Sequence, residues 1–165
     1  MTQTPAPVNS RAAAYVLEPG EVRRQTNSWP GTKADSSDTA GLLSVFEDTL
    51  EPWQFVPPLH LHTDMDEVLY VLEGALLVRL GEQQREVTTG SFVWIPRGTP
   101  HAFANANGTP TRLLSVATPG GIEQFFAEQS AYFAHIEGPP DLAILNQIAA
   151  RHGGRMLGPP IRETR

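Results

Sequence analysis

The chain contains no cysteine, and that absence excludes a disulfide scaffold, a thiolate zinc site and a cysteine nucleophile together. Long hydrophobic runs are also missing: no apolar stretch approaches the ~20 residues that cross a bilayer as a helix. Basic residues number 12 against 18 acidic ones and form no run, so neither nucleic acid nor a membrane surface is an expected partner. The opening stretch MTQTPAPVNSRAAAYVLEPG has neither the basic start nor the apolar run of about 7–15 residues of a secretory signal. The expected location is therefore cytoplasmic.

What is plentiful is punctuation. Fourteen glycines and 15 prolines in 165 residues stand well above the ~12% of average usage. That density does not suit a helical bundle, while an apolar content of 40% is too high for disorder. Short strands joined by tight turns satisfy both. The length fits one domain able to bury its own core.

Along the chain, residues 1–13 read as a flexible tail and 24–40 as a polar loop whose only bulky apolar residue is Trp29. A weak strand is expected at 15–17. From 42 to 118 strand follows strand, at 42–47, 53–56, 59–62, 67–72, 75–80, 84–88, 91–95, 101–105 and 111–118. Turn pairs such as Pro57-Pro58, Glu73-Gly74 and Asn107-Gly108 separate them. This spacing indicates an all-β antiparallel sandwich or barrel over 14–121. After Gly120-Gly121 the period changes. Ile122, Phe125, Phe126, Tyr132, Phe133 and Ile136 predict an amphipathic helix over 122–136. A second helix is predicted from Asp141 as N-cap to Gly153-Gly154. Residues 122–165 are thus expected to be a helical extension of the same domain, packed outside the barrel.

Chemistry concentrates in two segments that hold three of the five histidines. The first runs from His60 through His62 and Glu67 to Gly74, the second from Gly90 through Pro96, Gly98 and His101 to Asn105. Alternation along a strand points His60 and His62 the same way, with Cα atoms about 6.6 Å apart. Two imidazoles so placed can lean toward one cation. Asp64, Met65 and Asp66 break the strand into a turn, and Glu67 opens the next, from which a carboxylate can return to the same cation. His101 completes the set from a distant strand, leaving metal positions open for water, dioxygen or substrate. His135 and His152 fall on the helices and read as solvated or capping residues. Parity gives Leu69 and Val71 the face of Glu67, and Phe103 that of His101. Phe55, and Phe92 or Trp94, are further candidates for an apolar cup around a small ligand.

These residues resemble the cupin superfamily. The first segment fits H-x-H-x4-E-x6-G and the second fits G-x5-P-x-G-x2-H-x3-N. One position departs: Gln54 stands where the family has a glycine, and Pro57-Pro58 shapes the approach to that strand instead. The resemblance covers residues 40–118 closely, and PGGIEQFFAE with LGPPI beyond it is similar to small single-domain cupins of the quercetin (flavonol) dioxygenase type. It implies a double-stranded antiparallel β-helix, or jelly-roll barrel, in a homodimer. It also implies one divalent transition metal per chain (iron, nickel, manganese, cobalt, copper or zinc) held by His60, His62, Glu67 and His101. The implied activity is a dioxygenase acting on a small aromatic or β-dicarbonyl substrate, with Glu67 also taking the substrate's hydroxyl proton. Two alternatives share the ligand set: an isomerase, decarboxylase or lyase that uses no oxygen, and a non-catalytic module that binds a small ligand.

Overall fold

The computed structural model describes residues 12–23, 31–55 and 57–161. Residues 1–11 of the expected tail and the loop stretch around Trp29 lie outside the described residues. The elements run β1 (Gly31–Ala34), α1 (Ser36–Thr39), β2 (Ser44–Leu50), β3 (Pro58–His62), β4 (Asp66–Glu73), β5 (Ala75–Leu80) and β6 (Gln83–Thr88). They continue with β7 (Phe92–Ile95), β8 (His101–Ala104), β9 (Thr111–Thr118), α2 (Ile122–Phe133), α3 (Leu142–Arg151) and β10 (Gly154–Pro160). The strands form two five-stranded sheets, in the orders β1-β2-β9-β4-β7 and β10-β3-β8-β5-β6. Every pairing is antiparallel. This is the all-β jelly-roll architecture that the sequence indicates.

The sheets pack face to face because their strands alternate. In β4, Glu67, Leu69 and Val71 are buried while Tyr70 is exposed; in β2, Ser44, Phe46, Asp48 and Leu50 are buried. One-sided burial of this kind lets an antiparallel sheet cover a core with its inner face. Leu69, Val71, Val93 and Leu113 from the first sheet meet Leu76, Val78, Val87 and Phe103 from the second in one cluster. Each fully buried leucine or valine there contributes about 1.5–3 kcal/mol. Between β4 and β5 the chain crosses from one sheet to the other at Gly74, where φ is 84° and a Cβ would stand 2.8 Å from the Pro110 carbonyl oxygen. Only glycine fits that corner.

At the opposite flank, β2 and β10 are joined by the helices. The Ser44 hydroxyl donates to Glu123 at 2.7 Å, and Phe46 packs edge-on against Phe126 with ring centroids 5.6 Å apart; both partners belong to α2. α3 rests on β10, and Asp141 caps it by accepting from the Ala143 amide at 2.8 Å. No helix among the described residues is long and apolar enough to cross a membrane.

Several elements differ from the sequence expectation. No strand forms at 15–17 or at 53–55, and Trp53 adopts φ 63°, which ends extended structure. β1 falls inside the expected polar loop. The C-terminal extension is not helical throughout: its last segment is β10, which pairs with β3.

Candidate metal centre

Three strands from both sheets deliver the polar cluster. β3 supplies His60 and His62, alternate residues on one face; β8 supplies His101, directly opposite His60 in the ladder; β4 supplies Glu67 from the facing sheet. One donor atom from each of the four side chains lies within 4.8 Å of every other. The ring centroids of His60 and His101 are 4.1 Å apart, and those of His60 and His62 are 5.0 Å apart.

Backbone carbonyls set the orientation of two rings. His60 Nδ1 lies 2.8 Å from the Pro58 carbonyl oxygen, and His101 Nδ1 lies 2.9 Å from that of Thr99. A carbonyl only accepts, so each Nδ1 is the protonated nitrogen and each Nε2 is left to face the cluster. His101 Nε2 reaches Glu67 Oε2 at 3.0 Å, and His62 Nε2 stands 3.6 Å from the same oxygen.

Electrostatics follow from this packing. Burial pushes the Glu67 carboxyl up, but hydrogen bonds from His101 and His62 more than offset it and hold the group below the usual range. Burial works against the charged form of His101, yet its bond to Glu67 raises it above the ordinary histidine value. His60 has no carboxylate bond of its own. Burial, reinforced by the charges of His101 and His62, brings it down to about 3, so its Nε2 lone pair is free at neutral pH. Imidazole nitrogens plus one carboxylate form a donor set suited to a divalent transition metal.

The turn after β7 braces the ring. Arg97 grips Asp66 through Nε at 3.0 Å and through its own backbone amide at 2.8 Å, tying it to the residue before Glu67. The Gly98 amide donates to the His62 carbonyl at 2.6 Å. On the other side, β10 pairs Gly154 with His62 and Met156 with His60. The sequence did not single out this clamp or this strand. A basic residue inside Pro96-Arg97-Gly98 was the one available signal.

The other candidate residues divide. Leu69, Val71 and Phe103 share the inner face with the ring and belong to the packed core. Phe92 and Trp94 do not line the interior: they are 64% and 48% exposed, and Val93 and Ile95 turn inward in their place. Phe55 also lies elsewhere. It packs with Ala102 and Ala104, which alternate with His101 and Phe103 and so occupy the opposite face of β8. Asn105 is a turn-former, its Nδ2 donating to the Leu50, Glu51 and Thr109 carbonyls and its Oδ1 accepting from the Asn107 amide. His152 caps α3 and bonds Glu128 at 2.7 Å; His135 is exposed. Asp64 stands exposed in the turn.

The cupin domain family matches residues 46–117, a stretch that contains all four donors and both motifs. Residues 46–117 are a cupin domain. The chain is 32% identical over 83 residues to quercetin 2,3-dioxygenase of Bacillus subtilis (strain 168), covering 50% of this chain and 24% of that protein. An uncharacterised protein of Methanocaldococcus jannaschii is 29% identical over 108 residues, covering 64% of this chain and 78% of its relative. This chain therefore spans about a quarter of the dioxygenase but most of the archaeal protein. Among solved structures, a conserved double-stranded β-helix protein from Klebsiella pneumoniae superposes with TM-score 0.54 at 19% identity, over 66% of this chain and 93% of the other. A Thermus thermophilus protein gives TM-score 0.51 at 26% identity, over 63% of this chain and 96% of the other.

Proposed function

We propose that this cupin is a metal-dependent dioxygenase acting on an aromatic or β-dicarbonyl compound. The observation that carries the reading is a carboxylate buried and held ionised inside a ring of three imidazoles, two of which have Nδ1 fixed on carbonyl oxygens. Likeness to a quercetin dioxygenase over 83 residues supports it.

His60, His62, His101 and Glu67 would hold the ion, which when bound supplies a Lewis acid for a substrate oxygen and an electron path to dioxygen. The protein's own contribution is placement. Nδ1–H bonds to Pro58 and Thr99 keep the His60 and His101 rings from turning, so the donors need no reorganisation on binding. Glu67 is unprotonated before substrate arrives, the state a proton acceptor requires, and its carboxylate takes the substrate's hydroxyl proton. The apolar layer of Leu69, Val71 and Phe103 keeps bulk water from the floor beneath the ring.

The test is oxygen uptake by protein purified without chelators, with metal content measured in parallel, against a panel of flavonols and β-diketones. Substrate-dependent consumption is expected with about one metal per chain. Full metal loading with no oxygen uptake overturns the reading, and turnover of the same panel under strict anaerobiosis assigns the centre to lyase or isomerase chemistry instead.

A further inference from the structure

Beside the donor ring, part of the barrel interior is not filled by the core. The main core cluster draws on β2 and on β4 to β9, and takes no residue from β3 or β10. The inner face stays half-buried there, at His60 of β3 and at Met156, its ladder partner on β10. The first sheet shows the same opening at Ser115 of β9. Directly paired residues of antiparallel strands share a face. Ser115 pairs with Leu69 on one side and Phe46 on the other, both facing inward and 0% and 3% exposed. Ser115 therefore points inward, yet it is half-buried where its neighbours are sealed. In an interior packed to crystal density, an inward side chain that keeps accessible surface borders open space.

The register fixes how near that space lies to the ring. Glu67 pairs with Ala117 and Leu69 with Ser115, so Ser115 is the diagonal neighbour of Glu67 on one face, about 7–8 Å away. Two side chains at that separation can reach different oxygens of one small molecule. The Ser115 hydroxyl is also uncommitted. Nearby inward hydroxyls are used: Ser44 donates to Glu123 and Thr111 to the Ala75 carbonyl, each at 2.7 Å. Ser115 has no such partner among the described residues. Phe46 packs edge-on against Phe126 of α2, so aromatic surface flanks the free hydroxyl.

Resting on the dioxygenase reading, we propose that Ser115 is a substrate-binding residue of this centre. Its hydroxyl donates a hydrogen bond to a substrate carbonyl oxygen adjacent to the hydroxyl whose proton Glu67 takes. It thereby selects aromatic compounds with a hydroxyl and a carbonyl on neighbouring carbons over simple phenols.

The test compares wild type and Ser115→Ala at equal metal content, titrated calorimetrically without oxygen so that binding is read apart from turnover. The probe 3-hydroxyflavone carries the adjacent carbonyl, and 2-naphthol is a flat phenol without one. Ser115→Ala should bind 3-hydroxyflavone about fivefold more weakly than wild type, the worth of one hydrogen bond, and 2-naphthol equally well. Equal affinity of the two proteins for 3-hydroxyflavone overturns the assignment and leaves the dioxygenase reading standing, as does parallel loss of both probes. Conversely, a metal-loaded wild type that shows the expected contrast but consumes no oxygen with 3-hydroxyflavone removes the dioxygenase reading and keeps the Ser115 contact. A metal-loaded wild type that binds neither probe removes both.

Discussion

Replacing Asp48 with asparagine removes a titrating group whose two ends are far apart, and the consequence for stability can be worked out from its surroundings. In the folded protein the carboxyl titrates at about 8 against an ordinary 3.8. Between those values the folded state holds the proton more tightly than the unfolded chain does. Stability from this group is therefore complete below about pH 4 and declines as pH rises toward 8. The slope is about 1.4 kcal/mol per pH unit, which across pH 5 to 8 amounts to roughly 4 kcal/mol. Asparagine has a similar shape and no titration, so its contribution stays flat. Carboxylates held low by ion pairs, such as Glu47 and Glu128, move stability in the opposite direction but cancel in the comparison. Urea unfolding at pH 5, 6, 7 and 8, with chelator in both samples, should show the asparagine variant gaining steadily on wild type. A difference between the two that stays constant from pH 5 to 8 would refute the reasoning.

Three further outcomes follow from the geometry. His101→Ala or Glu67→Gln should lower bound metal from about one per chain to near background by elemental analysis, because each removes a donor from a ring with no spare. Metal uptake should release protons and weaken as pH falls, since His101 is held above the ordinary histidine value by Glu67 and must shed its Nε2 proton; calorimetry in buffers of differing ionisation enthalpy reads this, and zero release contradicts it. Gly74→Ala should destabilise the fold by about 1–3 kcal/mol, seen as a lower urea midpoint, because φ is 84° and a Cβ would press on the Pro110 carbonyl.

The donor ring was legible because its signal is local. Alternation alone puts His60 and His62 on one side, and the glycine and proline frame around His101 is dense enough to be read directly. The helices were legible for the same reason: the period changes after Gly121, and Asp141 caps where expected. Facing was harder. In Phe92-Val93-Trp94-Ile95 the larger aromatics invite an inward reading, but the space beside Leu69 takes the smaller Val93 and the rings turn out. Phe55 went astray because it covers alanines on the outer face, a requirement set by Ala102 and Ala104 far along the chain. β1 and β10 carried no signal of their own. GTKA lacks an apolar alternation, and GRMLGPP holds two glycines and two prolines. Each is extended because a partner strand offers it hydrogen bonds.

That last strand has a consequence for how the molecule is made. All four donors are synthesised before Gly154, so an emerging chain possesses every atom needed to capture an ion while β3 still has a bare flank. An ion taken up early would sit on a ribbon open to neighbouring chains, and the arrival of the final strand is what seals it.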